Sequence, residues 1–253
     1  MKTLEVLLGA LFGLLVGSFL NVVIYRVPLG KSIVTPPSQC PKCDHRLSPL
    51  ENIPVVSYLL LGGKCKGCSE PISIRYPIIE LLSASCVAAM FYHFDQVLQA
   101  VGFSVFLCVA IVLGVIDLDT RTLPRKIMYV SAPLSVGILT AAAFAKAQPR
   151  SVLDALIGAA IGLIVFGAIH FVAPRSMGMG DVRFAGYIGL NLGFLGLFAV
   201  VDFIYGAFLV GALFGIGFAL LKSKTLRVAI PFGPFMSFAA VLAIFFAASV
   251  HIF

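Results

Sequence analysis

FIYGAFLVGALFGIGFALL, residues 203–221, runs for nineteen residues without one Asp, Glu, Lys or Arg. As a helix it would be about 28 Å long, close to the ~30 Å hydrocarbon core of a bilayer. Six further runs of the same kind lie at 6–25, 96–116, 127–145, 155–174, 184–201 and 228–253, and one at 76–94 is interrupted only by Glu80. The 253-residue chain is 60% hydrophobic and 11% charged, with a mean hydropathy of +1.06. A soluble domain of this length needs a far more polar surface. The expected fold is therefore an all-α polytopic membrane protein with about eight transmembrane helices.

A formal charge of +7 would suggest nucleic acid in a soluble protein. Its placement says otherwise. With eight spans and the N-terminus outside, the segments 26–75, 117–126, 175–183 and 222–227 fall on one side and hold fifteen of the eighteen Lys and Arg residues. The other side keeps only Lys2, Lys146 and Arg150. By the positive-inside rule the four basic segments are cytoplasmic, so the basic excess reports topology and the expected partner is the lipid bilayer, with no nucleic acid. The first run is long, Lys2 is a thin basic flank, and no Ala-x-Ala site precedes Arg26, so residues 1–25 read as a retained helix.

Segment 26–75 is the one sizeable stretch outside the apolar runs, and it carries four of the six cysteines as CPKC (Cys40, Cys43) and CKGC (Cys65, Cys68). Two thiolates on a tight turn grip one tetrahedral ion, and two such turns close the site. A redox pair or incidental cysteines are the competing readings, but cytoplasmic placement disfavours stable disulfides. A structural Zn2+ is expected here, with no open position for a reacting water. Cys86 and Cys108 fall inside apolar runs and read as small buried residues.

Two acidic stretches sit at the inner ends of spans. VIDLDTRTLPRK, 115–126, carries Asp117 and Asp119, and RSMGMGDVRF, 175–184, carries Asp181 behind a Gly-Met-Gly hinge. On a helix Asp117 and Asp119 point about 160° to 200° apart, so they do not form one site between them. Acids at helix ends often do no more than cap at the interface. Asp117 and Asp181, however, come from different spans at the same membrane edge. Two carboxylates within a few ångströms cannot both ionise comfortably, and such a pair supplies a general acid and a general base. Gly178 and Gly180 would let the backbone approach an extended substrate.

These stretches resemble the type IV prepilin peptidases nearly end to end. GSFLNVVIYRVP (17–28) resembles the opening signature of that family. CPKC, NIPVVSYLLLGGKCKGC (52–68) and ISIRYPIIE (72–80) resemble its cytoplasmic loop. IDLDTRTLP (116–124) and GMGDVR (178–183) resemble its two aspartate motifs. The resemblance implies a GxGD-type aspartyl protease with Asp117 and Asp181 catalytic, Asp117 being the aspartate seven residues before Pro124. It implies removal of the basic leader from type IV prepilins or type II secretion pseudopilins at the cytoplasmic face of the bacterial inner membrane. S-adenosylmethionine would then methylate the new N-terminal residue, usually phenylalanine. The chain departs from the family where Arg125 follows Pro124 in place of an acid or amide.

The expected organisation is a first transmembrane helix at 1–25, a zinc-binding, methyltransferase-associated cytoplasmic loop at 26–75, and a transmembrane peptidase domain at 76–253. No Gly-rich nucleotide loop after a strand marks the S-adenosylmethionine site. Asn52, Ser57, Arg75, Tyr76 and Glu80 belong to the family-like motifs of the loop and its exit, and Glu80 also reads as a partner for Arg75. His170 reads as an interfacial histidine. The main alternative is a non-catalytic, zinc-stabilised membrane scaffold for pilus or secretion assembly. A proton-coupled transporter would place its acids near the midplane, whereas these lie at one edge. The motifs specify neither a particular prepilin nor an oligomeric state.

Overall fold

A computed structural model describes residues 1–174, 177–221 and 231–250, without the side chains of 219, 221 and 248–250. Its elements are helices: α1 (Lys2–Arg26), a 3-10 turn at Leu50–Asn52, α2 (Val56–Leu60), α3 (Arg75–His93), α4 (Val97–Thr120), α5 (Arg125–Ala145), α6 (Arg150–Val172), α7 (Met179–Leu192), a 3-10 turn at Gly193–Leu195, α8 (Leu197–Leu221) and α9 (Gly233–Val250). Among the described residues the only β-pairing is two isolated antiparallel bridges, Gln39 with Arg46 and Lys64 with Pro71. The chain forms two compact units, Met1–Ser104 and Val105–Phe253.

In the first unit α1 lies antiparallel to α3, backbone against backbone. A Cβ at Gly13 would stand 2.7 Å from the Ala84 Cα, and one at Gly17 would stand 2.7 Å from the Glu80 Cα. Lipid tails are as apolar as leucine, so burial alone drives no association between spans. Close approach at small residues supplies the dispersion contacts instead. The crossing brings Ser18 and Asn21 of α1 beside Glu80 and Tyr76 of α3, and the Asn21 amide donates to the Tyr76 carbonyl at 3.2 Å.

The second unit uses the same device at α6 and α7. A Cβ on Gly158 or Gly189 would collide with the other's carbonyl, and a Cβ on Gly162 would collide with that of Ala185. Gly114 of α4 faces Ser237 of α9, whose hydroxyl donates to the Ala110 carbonyl at 2.8 Å. Phe166, Phe208, Phe232 and Phe235 form an aromatic cluster between α6, α8 and the start of α9, in which the Phe166 and Phe208 rings stack and the others meet tilted or edge-on.

Seven of the eight expected apolar runs coincide with one helix over most of their described residues, but eight spans are not confirmed. Five helices, α1, α4, α5, α6 and α8, are long and apolar enough to cross a membrane. Of the others, α3 carries Arg75, Glu80 and His93, α7 has only 14 residues, and α9 is a shorter apolar helix. The expected span 184–201 is broken in its second half. Helix α7 ends at Leu192, a 3-10 turn follows, and Gly196 sits at φ +108, which an L side chain resists. Asp202 therefore lies inside α8 and does not mark a boundary. The expected inner segment 222–227, like Arg175 and Ser176, lies outside the described residues.

Candidate functional site

The cysteine loop is one turn built twice. The Cys40 amide donates to the His45 carbonyl and the Asp44 amide to the Cys40 carbonyl; Cys65, Glu70 and Ser69 repeat both bonds. Asp44 and Ser69, each just after the second cysteine of its pair, take up φ 55 and φ 60. That left-handed residue lets each turn fold back so that its two thiols face the same point. The four Sγ atoms lie within 4.8 Å of one another.

The amides of Lys42 and Cys43 hold the Cys40 thiol down to about 7. The His45 amide favours the Cys43 thiolate, but the neighbouring sulfurs, Cys68 foremost, push it up to about 12. Four sulfurs this close cannot all ionise unless a cation is shared among them. The donor set and its geometry fit a tetrahedral soft metal. Beside it, the Ser48 amide and hydroxyl and then His45 hold Glu51 at about 2.

The same unit encloses a cavity of about 790 Å³ beneath the cysteine loop, within the range typical of small-molecule sites. Asn52, Ser57, Tyr76 and Glu80 of the expected set line it, and Arg75 does not. Glu80 is 8% exposed. Its Oε2 accepts the Val55 amide at 2.8 Å and Ser18 adds a side-chain hydrogen bond, so its bonded partners are these and not Arg75. Val55 is the centre of a γ-turn at φ 61, ψ −50, closed by the Val56 amide on the Pro54 carbonyl at 2.6 Å. Positive φ on a β-branched residue costs about 1–3 kcal/mol and points to function more often than to chance. Sequence reading offered no signal for this strain.

In the second unit Asp117 lies on the last turn of α4, 5% exposed, whereas Asp119 is exposed. The helix stops because Arg121 turns to φ 54, its amide bonded to the Asp117 carbonyl, and Pro124 then starts α5. Asp181 sits in the first turn of α7 and its Oδ2 accepts the Gly178 amide at 2.9 Å. His170 of α6 donates from Nδ1 to the Met177 carbonyl at 2.7 Å, tying down the approach to that turn. Leu123, from the turn after Asp117, packs on Gly180, where a Cβ would meet it at 3.2 Å. The two aspartates are close enough for the charge of Asp117 to act on Asp181.

A third segment completes this arrangement, and it was not anticipated. The Gly233 amide donates to Asp117 Oδ2 at 2.8 Å, and a Cβ on Gly233 would stand 2.8 Å from that oxygen. The available signal was Pro231-Phe232-Gly233-Pro234, a glycine between prolines at the entrance to an apolar run. Each carboxylate is thus oriented by a neutral backbone N–H, and neither is in a salt bridge among the described residues. Two acids so held are the groups that general acid–base chemistry requires.

Residues 11–94 match the bacterial peptidase A24 N-terminal domain, and residues 104–252 match the type IV leader peptidase family. These two matches follow the two compact units. The chain is 40% identical over 209 residues to a prepilin leader peptidase/N-methyltransferase of Myxococcus xanthus (strain DK1622), covering 81% of this chain and 60% of that protein. It is 32% identical over 270 residues to the protein of that name from Aeromonas salmonicida (strain A449), covering 95% and 90%. With the Bacillus subtilis (strain 168) protein of the same name it is 33% identical over 244 residues, covering 95% and 94%. No solved structure matches the chain.

Proposed function

The chain belongs to the type IV leader peptidase family, an enzyme of the leader peptidase and N-methyltransferase class, and from that premise we propose that it removes the basic leader from type IV prepilins or type II secretion pseudopilins and methylates the new N-terminus. Asp117 and Asp181 carry the hydrolysis. The ionised member takes a proton from water as its oxygen attacks the scissile carbonyl, and the protonated member donates to the carbonyl oxygen. The proton taken from water then passes to the departing amine. The observation that carries this reading is the geometry of the pair: Asp117 is buried and held by the Gly233 amide, Asp181 is held by the Gly178 amide, and the charge of one reaches the other.

A prepilin leader is basic and the helix after it apolar, so its scissile bond lies at the inner interface. With the N-terminus outside, both aspartates face the cytoplasm at that level. Cys40, Cys43, Cys65 and Cys68 hold a structural Zn2+ with no open coordination position. S-adenosylmethionine supplies the methyl group as a sulfonium, and the cavity lined by Asn52, Ser57 and Glu80 has the volume and polar lining to receive it. The labour divides into the helix at 1–25, the loop at 26–75 that shapes methyl transfer, and the peptidase at 76–253.

Cleavage of a model prepilin in liposomes, read by mass spectrometry, tests the peptidase reading. Asp117→Asn and Asp181→Asn should each lose at least about 10³-fold in rate, while the exposed Asp119→Asn stays within about twofold. Undiminished cleavage by Asp181→Asn would reject the two-aspartate mechanism and favour a scaffold role for these acids.

A further inference from the structure

We infer that Glu80 is the group that receives the substrate's terminal ammonium for methyl transfer, an inference that rests on methylation taking place in the first-unit cavity. A new N-terminus is a protonated primary amine, and its lone pair must be freed before it can attack a methyl group. A carboxylate inside the cavity is the simplest group to hold that ammonium and accept its proton.

Four acids line the cavity, and three are committed elsewhere. Asp44 takes the Gln39 amide at 3.0 Å, Glu51 takes the Ser48 amide and His45, and Glu70 faces Lys42 at 3.8 Å. Asp44 also has a neutral donor but is exposed, and Glu51 and Glu70 each face a basic side chain; Glu80 is the one acid of the four that is both buried and without such a neighbour. It is buried, it is bonded to the Val55 amide and to Ser18, both neutral, and no cation among the described residues contributes to its surroundings. A carboxylate held only by neutral donors keeps its full charge for an incoming cation.

Its depth fits the same ligand. Glu80 is five residues into α3, about 7.5 Å along the helix, where the N-terminus of an otherwise apolar helix would sit at the interface. Beside it lies a strained turn: Val55 is held at φ 61 while its amide donates to Oε2, which orients the carboxylate without neutralising it. In the step itself the ammonium passes a proton to Glu80, the N–CH3 bond forms, and the S–CH3 bond of the donor breaks with its electron pair left on sulfur. Glu80 then releases the proton to cytoplasmic water.

The experiment uses the full chain in detergent, with a pentapeptide beginning with phenylalanine and its N-acetylated form. Wild type should bind the free amine at least about tenfold more tightly than the acetylated peptide. Glu80→Gln keeps an oxygen for the Val55 amide and loses only the charge. It should abolish that preference and lower the methyl gain at least about 100-fold, with zinc content and prepilin cleavage, which uses the aspartates of the second unit, retained. If wild type shows no preference for the free amine, or Glu80→Gln keeps it or methylates normally, the inference falls and the cavity reading stands. Should wild type bind no S-adenosylhomocysteine, the cavity reading falls and takes this inference with it.

Discussion

The cysteine loop of the first unit and the aspartate pair of the second both gather side chains from distant stretches, but with opposite materials. The loop has almost no core. It is two copies of one short turn, each carrying its own left-handed residue, Asp44 or Ser69, and the copies come together through four sulfurs that repel unless a cation joins them. The aspartates have no local motif holding them to each other. Their positions follow from α6 pressed onto α7 at Gly158, Gly162 and Gly189, from Leu123 on Gly180, and from the Gly233 amide on Asp117. In the proposed reading one site depends on a bound ion for its integrity, the other on packing between helices. Damage to the first should therefore spare the second.

Metal loss is the sharpest way to break that symmetry. Stripping the purified protein with a chelator, or making Cys40→Ser with Cys65→Ser, should unfasten the loop and reduce the methyl gain at least about 100-fold. Limited proteolysis between residues 31 and 73 should become easy at the same time. Prepilin cleavage should fall less than about tenfold, because the groups that orient the carboxylates, the Gly233 and Gly178 amides and Leu123, all belong to the second unit. Equal loss of both activities would show that the two units work as one.

Gly233→Ala probes the second site at a single atom. The substitution keeps the amide that bonds Asp117, but its Cβ would stand 2.8 Å from Asp117 Oδ2 and 3.0 Å from the Asp117 Cβ. The carboxylate must shift by several tenths of an ångström. Since misplacing a catalytic group by about 1 Å costs up to about 10²-fold, cleavage should drop about 10- to 100-fold. Methyl gain on a peptide that is already cleaved should be unaffected. The comparison of the two rates by mass spectrometry checks it.

What could be read from the chain beforehand follows this contrast. CPKC and CKGC announce a four-sulfur cluster because spacing within a turn is a local property. Helical phase set Asp117 apart from Asp119 without choosing between them; the preference for Asp117 came from the resemblance, and of the two Asp117 is the buried one. The partner of Asp117 was not visible, because Gly233 lies 116 residues away and a glycine N–H leaves no mark on composition. The break at 193–196 was missed for a related reason: charge-free runs reveal apolar length, and the run 184–201 passes through Gly193 and Gly196 without a charge to mark the break. Val55 was equally opaque, since valine is among the last residues expected at positive φ.

That residue offers the finest test. Val55 holds φ 61, ψ −50 while its amide donates to Glu80, so the strain is local to the backbone and the useful group is the N–H. Val55→Gly keeps the N–H and removes the Cβ that makes the turn costly. The strain relieved, about 1–3 kcal/mol, is offset by about 0.5–1 kcal/mol of extra freedom in the unfolded chain. No large apolar burial is lost, because Val55 is only half-buried. The variant should be as stable as wild type or more stable by about 1 kcal/mol, a rise of a few degrees at most in thermal unfolding followed in detergent. Methyl gain should persist, since Glu80 keeps its donor. A clear loss of stability would mean that the valine side chain, and not the geometry of its amide, is what the turn requires.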